Sequence, residues 1–459
     1  MFGRRRAGSP SEKKSPAAPA DDAPPAAVYS RPHFLHQSAG ERSRILDRGV
    51  RPVLFLPRNQ RLAWNTGYAE VINAGKSIYN EDQATCTPII LKRRVSNVED
   101  WVLLCPSEDM QNDEIVATYW GLFDGHGGPM AAIQTSKHLH HCIKDQLEEI
   151  FDVISNPSSI PPPMHLEEHK GKARYAKEKN ISIENVIKGA VEIAFKKCDE
   201  LIAQYQALHN QMGGCTALVV LHLQGKFYVA SAGDSRAIVV QKNKILPLSN
   251  EFTAFTERQR IQHLAFLKPE LLGEEFTRFE FPRRVKRNDI GKKILYRDYF
   301  MSGWSYKTAE EDDLKYPLIH GEGRQTRVMG TIAVTRGFGD HQLMVYDTDL
   351  HIKPFLSCTP EVTVFDLGQH EFGQNDVLVM ATDGLWDVMS NKDVEDAAEK
   401  FLEDQKHEPR RFTMLAQYLV LKARGIPQNI DWMLEDGSFA SPDDISVFVI
   451  PLHNLGGTA

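Results

Sequence analysis

Closely spaced cysteines are missing from this chain. Its six cysteines, Cys86, Cys105, Cys142, Cys198, Cys215 and Cys358, lie far apart with no C-x-x-C pair. Neither a disulfide framework nor a thiolate zinc site is therefore indicated, and a reducing intracellular setting, cytoplasmic or nuclear, is expected. A basic excess is missing too: the net charge of -7 and pI near 6.2 give no overall pull toward nucleic acid. No apolar stretch approaches the roughly 18 residues that span a bilayer, and "MFGRRRAGSPSEKK" has no apolar region behind its basic residues. A membrane span and a secretory leader are thus not expected. No internal repeat of roughly 20 to 50 residues occurs.

What is present is enough apolar material for a large core: 459 residues, 42% hydrophobic. Residues 1–45 are rich in Pro, Ala, Ser and charge, a composition that does not offset ordering entropy, and they are expected to form a disordered tail. From about residue 62 to 453 the signals become regular. "EDWVLLCP", "EIVATYWGLFD", "CTALVVLHL", "KFYVASAGD", "RAIVVQ", "EVTVFDL", "DVLVMATD" and "ISVFVIPL" are short β-branched or aromatic runs closed by polar or glycine residues, which predicts strands. Helical spacing runs from Pro129 toward Ile150, and again after Ser182, a candidate N-cap, through Ile183, Ile187, Val191, Ala194, Cys198 and Ile202. The segments "NKDVEDAAEKFLEDQ" and "RRFTMLAQYLVLKA" also read as helices. Strands grouped around paired helices predict an α+β domain of layered sheets. Residues 250–328 lack a strand rhythm and read as a surface insertion.

Two predicted strands end in an aspartate followed by glycine: Asp124 in "FDGHGG" and Asp383 in "TDGLWD". A carboxylate pair, Asp443 and Asp444, stands just before "ISVFVIPL". One aspartate after a strand is most often a turn residue. If neighbouring strands run antiparallel, however, Asp124, Asp383 and Asp443 converge at one sheet edge, where they repel unless cations lie among them. Oxygen donors without cysteine suit Mg²⁺ or Mn²⁺. Gly125, lacking a Cβ, lets its carbonyl approach as a further ligand. Two such ions activate water for in-line attack on phosphorus, and His126 beside them suits protonation of a leaving oxygen. His138, His140 and His141 on the following helix read as surface or core histidines. "GHGGPM" is not a dinucleotide fingerprint, because Met130 stands where its third glycine would be.

In order along the chain, "FDGHGG", "GGCTALVV", "ASAGDSRAIV", "GTIAVTRGFGD", "CTPEVTVFDL", "VLVMATDGLWDVMS" and "PDDISVFVI" resemble the metal-dependent protein phosphatases (PPM, type 2C), which dephosphorylate serine and threonine. "GYAEVINAGKSIYNEDQA" and the insertion look most like the subgroup of members H, J and M. The resemblance covers about residues 62–453. It implies a central β-sandwich of two antiparallel sheets flanked by α-helices, with two Mg²⁺ or Mn²⁺ ions in a cleft at one end and a weaker third. It implies attack by a metal-bridging water, with Asp124 bridging both ions, the Gly125 carbonyl, Asp383 and Asp443 as further ligands, and His126 as general acid. Glu81, next to Asp82, is implied to hold a metal-bound water, and Asp234 and Asp387, with Asp383, to frame the third ion.

The chain departs from the family pattern at two positions. The phosphate-gripping arginine four residues before Glu81 is replaced by Ser77, leaving Lys76 as the nearby cation, a point charge without a bidentate fork. Asp444 occupies a position where the family commonly has asparagine. The insertion corresponds to the family's flap, and its basic "RRVKRNDIGKKILYRDYF" run is suited to selecting phosphoprotein substrates. A pseudophosphatase scaffold is disfavoured by intact Asp124, Asp383 and Asp443. A metal-dependent nuclease would want a basic cleft, and tyrosine-directed thiol catalysis would need a C-x5-R loop that is absent.

Overall fold

The computed structural model describes residues 31–35, 48–94, 114–156, 181–428 and 431–453. Eleven strands build two sheets: β1 (Leu54–Phe55), β2 (Gly67–Val71), β3 (Gln83–Lys92), β4 (Glu114–Phe123), β5 (Ala217–Leu223), β6 (Lys226–Ala232), β7 (Arg236–Gln241), β8 (Lys244–Pro247), β9 (Glu361–Asp366), β10 (Val377–Ala381) and β11 (Ile445–Pro451). One sheet runs β1-β2-β11-β10-β7-β8 and the other β9-β6-β5-β4-β3. Every pairing within them is antiparallel.

The inner strands are apolar on both faces because both faces are covered, while the edge strands β1, β3 and β8 keep exposed positions. Between the sheets, Trp120, Leu218 and Phe227 meet Met380, Phe448 and Ile450. Their neighbours in sequence point outward, as strand alternation requires. Val219 and Leu221 pack under the helices α1 (Met130–Glu149) and α2 (Ile183–His209), while Val379 and Val447 pack under α3 (Asn391–Asp404) and α4 (Arg411–Arg424). Each fully buried Leu or Phe contributes roughly 2 kcal/mol, so a one-residue register slip would exchange two cores at once. Ser182 does cap α2, its hydroxyl accepting from the Asn185 N–H at 3.3 Å. The result is the expected α+β sandwich in four layers.

Three expectations need correction. The tail forecast for 1–45 fails at residues 31–35: Phe34 and Leu35 are buried, and Phe34 meets Tyr68 edge-on with ring centroids 4.9 Å apart. Two apolar residues are too few to register against the Pro/Ala background, yet they are enough to plug the sandwich; residues 1–30 and 36–45 lie outside the described residues. The sandwich begins at β1, before residue 62, and the buried Arg51 belongs to it. The insertion read at 250–328 has a core of its own and runs past its forecast end. It carries the helix Arg258–Leu267 and a separate apolar cluster of Ile261, Leu318, Val328, Ile332, Ile352 and Phe355, which therefore extends beyond residue 328. Its apolar residues come from distant turns rather than from periodic runs, so no periodicity announces them. The strand expected at "EDWVLLCP" lies outside the described residues.

Candidate active site

Strand direction brings the acids together. β4 stops at Phe123 and β6 at Ala232, β10 stops at Ala381, and antiparallel β11 starts at Ile445. Asp124, Asp234, Asp383 and Asp443 consequently leave their strands at one end of the sandwich. Carboxylate oxygens of Asp124, Asp234 and Asp383 all lie within 4.8 Å of one another. Two close backbone approaches make this possible. A Cβ on Gly125 would lie 2.5 Å from the Glu81 carbonyl oxygen, and one on Gly384 would run into the Asp444 carbonyl.

Burial pushes the carboxyls of Asp124 and Asp383 well above the ordinary range. Mutual repulsion adds to it, from Asp383, Asp82, Asp443 and Asp234 on Asp124, and from Asp234, Asp443 and Asp387 on Asp383. Asp234, raised mainly by burial and further by Asp387 and Glu251, reaches about 6. Asp383 Oδ1 is buried with no hydrogen-bond partner. A buried oxygen so placed is stabilised by a cation. The donor set is all oxygen, as hard divalent ions require.

Asp443 does not join the compact trio. Its carboxylate pairs with the Lys76 ammonium, although its charge still acts on Asp124 and Asp383. Burial opposes the charge on Lys76, but Asp443 outweighs it, with help from Asp383 and Asp124, and raises the ammonium above its usual range. Asp234, which the family resemblance implied for a weaker third ion, shares the compact cluster with Asp124 and Asp383. Asp387 stands beside it, raised by burial and by Asp443 and lowered by Arg324.

Asp444 supports the site from behind. Its Oδ1 accepts from the Asn73 backbone N–H at 2.8 Å and its Oδ2 from the Glu81 N–H at 3.0 Å. Burial raises it to about 7 despite these donors. Asn73 in turn accepts from the Gly75 and Ser77 N–H groups at 3.0 and 3.2 Å, which folds the loop carrying Lys76 toward Asp443. Glu81 Oε1 accepts from the Gly128 N–H at 2.6 Å, tying this loop to "DGHGG". Asp82 is buried, with burial and Asp444 raising it, and its Oδ2 accepts from the Thr382 hydroxyl at 2.9 Å. Beneath the loop the guanidinium of Arg51 donates to the carbonyls of Ile72, Ser441 and Asp443 at 2.7, 2.8 and 2.7 Å.

Asp340 escaped the sequence reading. Three short strands, Gly125–His126, Gly214–Cys215 and Phe338–Gly339, pair antiparallel and set His126 Nε2 2.6 Å from Asp340 Oδ2. Asp340 is almost fully buried, and the adjacent Gly339 N–H and His341 ring are held by Asp199 at 2.9 and 3.0 Å. Burial works against a charged His126. The hydrogen bond and charge of Asp340, backed by Asp234 and Glu81, nevertheless raise its imidazole above the ordinary value. "GFGD" carried the same glycine-then-aspartate signal as "SAGD", and that could have flagged it. His140 is pushed down to about 4, first by burial, in keeping with a neutral helix histidine.

Among known proteins, the family model described as "Protein phosphatase 2C" matches residues 90–267 and 319–425. Protein phosphatase 1M of Homo sapiens is 50% identical over 451 residues, covering 96% of this chain and 95% of its own length. Protein phosphatase 1J of Mus musculus is 48% identical over 456 residues, covering 96% and 89%. Protein phosphatase 1H of Homo sapiens is 44% identical over 495 residues, covering 98% and 96%. The break in the family match, from 268 to 318, falls inside the insertion.

Proposed function

Given that the chain belongs to the protein phosphatase 2C family and is a serine/threonine protein phosphatase, we propose that it works with two Mg²⁺ or Mn²⁺ ions at Asp124, the Gly125 carbonyl, Asp383 and Asp443, with His126 as general acid. The observation that carries this reading is the meeting of Asp124, Asp234 and Asp383 within 4.8 Å, with a buried Asp383 oxygen left unpartnered. Bound ions supply an activated water and neutralise the phosphoryl charge.

The chain's own residues do the rest. His126, whose imidazole Asp340 holds above its ordinary value, donates its proton to the departing serine or threonine oxygen, a role that contributes roughly 10²- to 10⁴-fold. Glu81 holds the Gly128 amide and so fixes the backbone on which His126 sits. Lys76, at the cluster's rim with its side chain 57% exposed, can exchange Asp443 for an incoming phosphate, serving as a point charge where the family has arginine. The insertion, with Arg283, Arg284, Trp304 and Tyr316 lining a cavity of about 300 Å³, selects among phosphoproteins. Grafting a relative's insertion should change protein substrate preference while sparing turnover of an aryl phosphate.

The test is hydrolysis of a phosphothreonine peptide by the metal-stripped protein. Activity should return with Mn²⁺, disappear with EDTA and be absent in Asp124→Ala. Metal-independent turnover, or an active Asp124→Ala, would overturn the assignment.

A further inference from the structure

The insertion sends a hairpin to the acidic centre. Its strands, Ile319–His320 and Arg327–Val328, pair antiparallel, and Ile319 and Val328 are anchored in the insertion's apolar cluster. The tip is tightly wound. Gly321 and Gly323 have positive φ of 100° and 53°, a Cβ on Gly321 would meet the Gln325 carbonyl oxygen at 2.5 Å, and the Thr326 hydroxyl donates to the Gly323 carbonyl at 2.7 Å. The Arg327 guanidinium braces the turn by donating to the Arg324 carbonyl at 3.2 Å.

Arg324 projects from this tip onto Asp387. Its Nη1 donates to Asp387 Oδ1 at 2.6 Å and to the Asp387 carbonyl at 3.3 Å, and its Nη2 donates to the Trp386 carbonyl at 3.3 Å. One guanidinium thus caps the end of the short Asp383–Trp386 helix and neutralises the acid beside the Asp124, Asp234 and Asp383 cluster. Both partners remain partly open to solvent, at 64% and 47% of side-chain area, so the contact can be exchanged.

We propose that Arg324 is a built-in cation at the Asp387 corner, competing there with a third divalent ion and so coupling the insertion to the ion content of the centre. The inference rests on the proposed metal reading, extended to a weaker third ion that Asp234, Asp383 and Asp387 would hold. Reciprocity follows from linkage: whatever Arg324 takes from the third ion's affinity, that ion takes from the hairpin's hold on the centre. An exposed ion pair of this kind is expected to weaken the third ion about fivefold.

The experiment is a calorimetric Mn²⁺ titration of the metal-stripped full chain as wild type, Arg324→Ala, Arg324→Lys and the double variant Arg324→Ala/Asp387→Asn. The tightest sites should be the same in wild type and Arg324→Ala. The weakest site should tighten about fivefold in Arg324→Ala, stay near wild type in Arg324→Lys and be lost in the double variant. Amide exchange at residues 321–327 should quicken on saturating Mn²⁺ in wild type and be indifferent to it in Arg324→Ala. Tight sites with a weakest site unchanged within about twofold in Arg324→Ala, or retained in the double variant, would overturn this inference and leave the metal reading standing. Absence of Mn²⁺ binding in every variant would overturn both.

Discussion

Adding one methyl group at Gly214 tests the His126–Asp340 pair without touching an acid of the cluster. Gly214 lies opposite His126 in the small sheet. Its backbone is not left-handed, so alanine brings no conformational strain there. The new Cβ would sit 2.7 Å from both Asp340 Cγ and His126 Nε2, well inside the roughly 3.5 Å at which such atoms come to rest. Each group must retreat by roughly 1 Å, and the 2.6 Å bond between them is lost. Misplacing a reacting group by roughly 1 Å costs about 100-fold, while overpacking costs roughly 1–3 kcal/mol of stability. We therefore expect kcat on a phosphothreonine peptide to fall about 100-fold in Gly214→Ala. An aryl phosphate, whose leaving group needs little protonation, should lose under about tenfold. Affinity for Mn²⁺ should stay within about threefold, because Asp124, Asp234 and Asp383 are not displaced. Stopped assays on both substrates, with calorimetry of the ion, measure all three. Peptide turnover within threefold of wild type, or equal losses on the two substrates, would refute the reasoning.

Asp234 makes the ion-free protein sensitive to alkali. Its folded value near 6 exceeds the ordinary 3.9 or so, so the stability it contributes is complete below about pH 4 and is lost as pH rises through 6. In EDTA at pH 7.5, Asp234→Asn should be more stable than wild type by on the order of 2 kcal/mol, read from urea midpoints, and saturating Mn²⁺ should erase the advantage. A less stable Asp234→Asn in EDTA would contradict this. Asp444→Ala strips the acceptor from Asn73 and Glu81 and should cost roughly 3 kcal/mol, whereas Asp444→Asn keeps one acceptor and should stay within a few-fold of wild-type kcat; equal damage from both would be the contrary result. Lys76→Ala should raise KM for the phosphopeptide about fivefold or more, and an unchanged KM would remove Lys76 from phosphate binding.

Strands β4 to β7 and β9 to β11 were legible because they read as apolar runs closed by polar or glycine residues, whereas β1, β2, β3 and β8, which are very short or broken by polar residues, were not forecast. Asp124 and Asp383 were legible because each closes such a run before a glycine. Asp340 was not, since its place beside His126 depends on three two-residue strands too short to carry any period. Arg51, which holds the Asp443 carbonyl, and Arg324, which reaches Asp387, come from segments with no motif of their own. Only the folded chain brings them to the site. Phe34 and Leu35 show the same limit at the level of packing: two apolar residues set in a polar, proline-rich stretch give no pattern, yet they fill the sandwich between Tyr68 and Phe448.

Anomalous diffraction at the manganese edge, from crystals grown with Mn²⁺, tests the central claim most directly. The account predicts peaks among the carboxylates of Asp124, Asp383 and Asp443 beside the Gly125 carbonyl, with Lys76 displaced from Asp443. Crystals of catalytically competent protein in saturating Mn²⁺, with no anomalous peak among these residues, would contradict it.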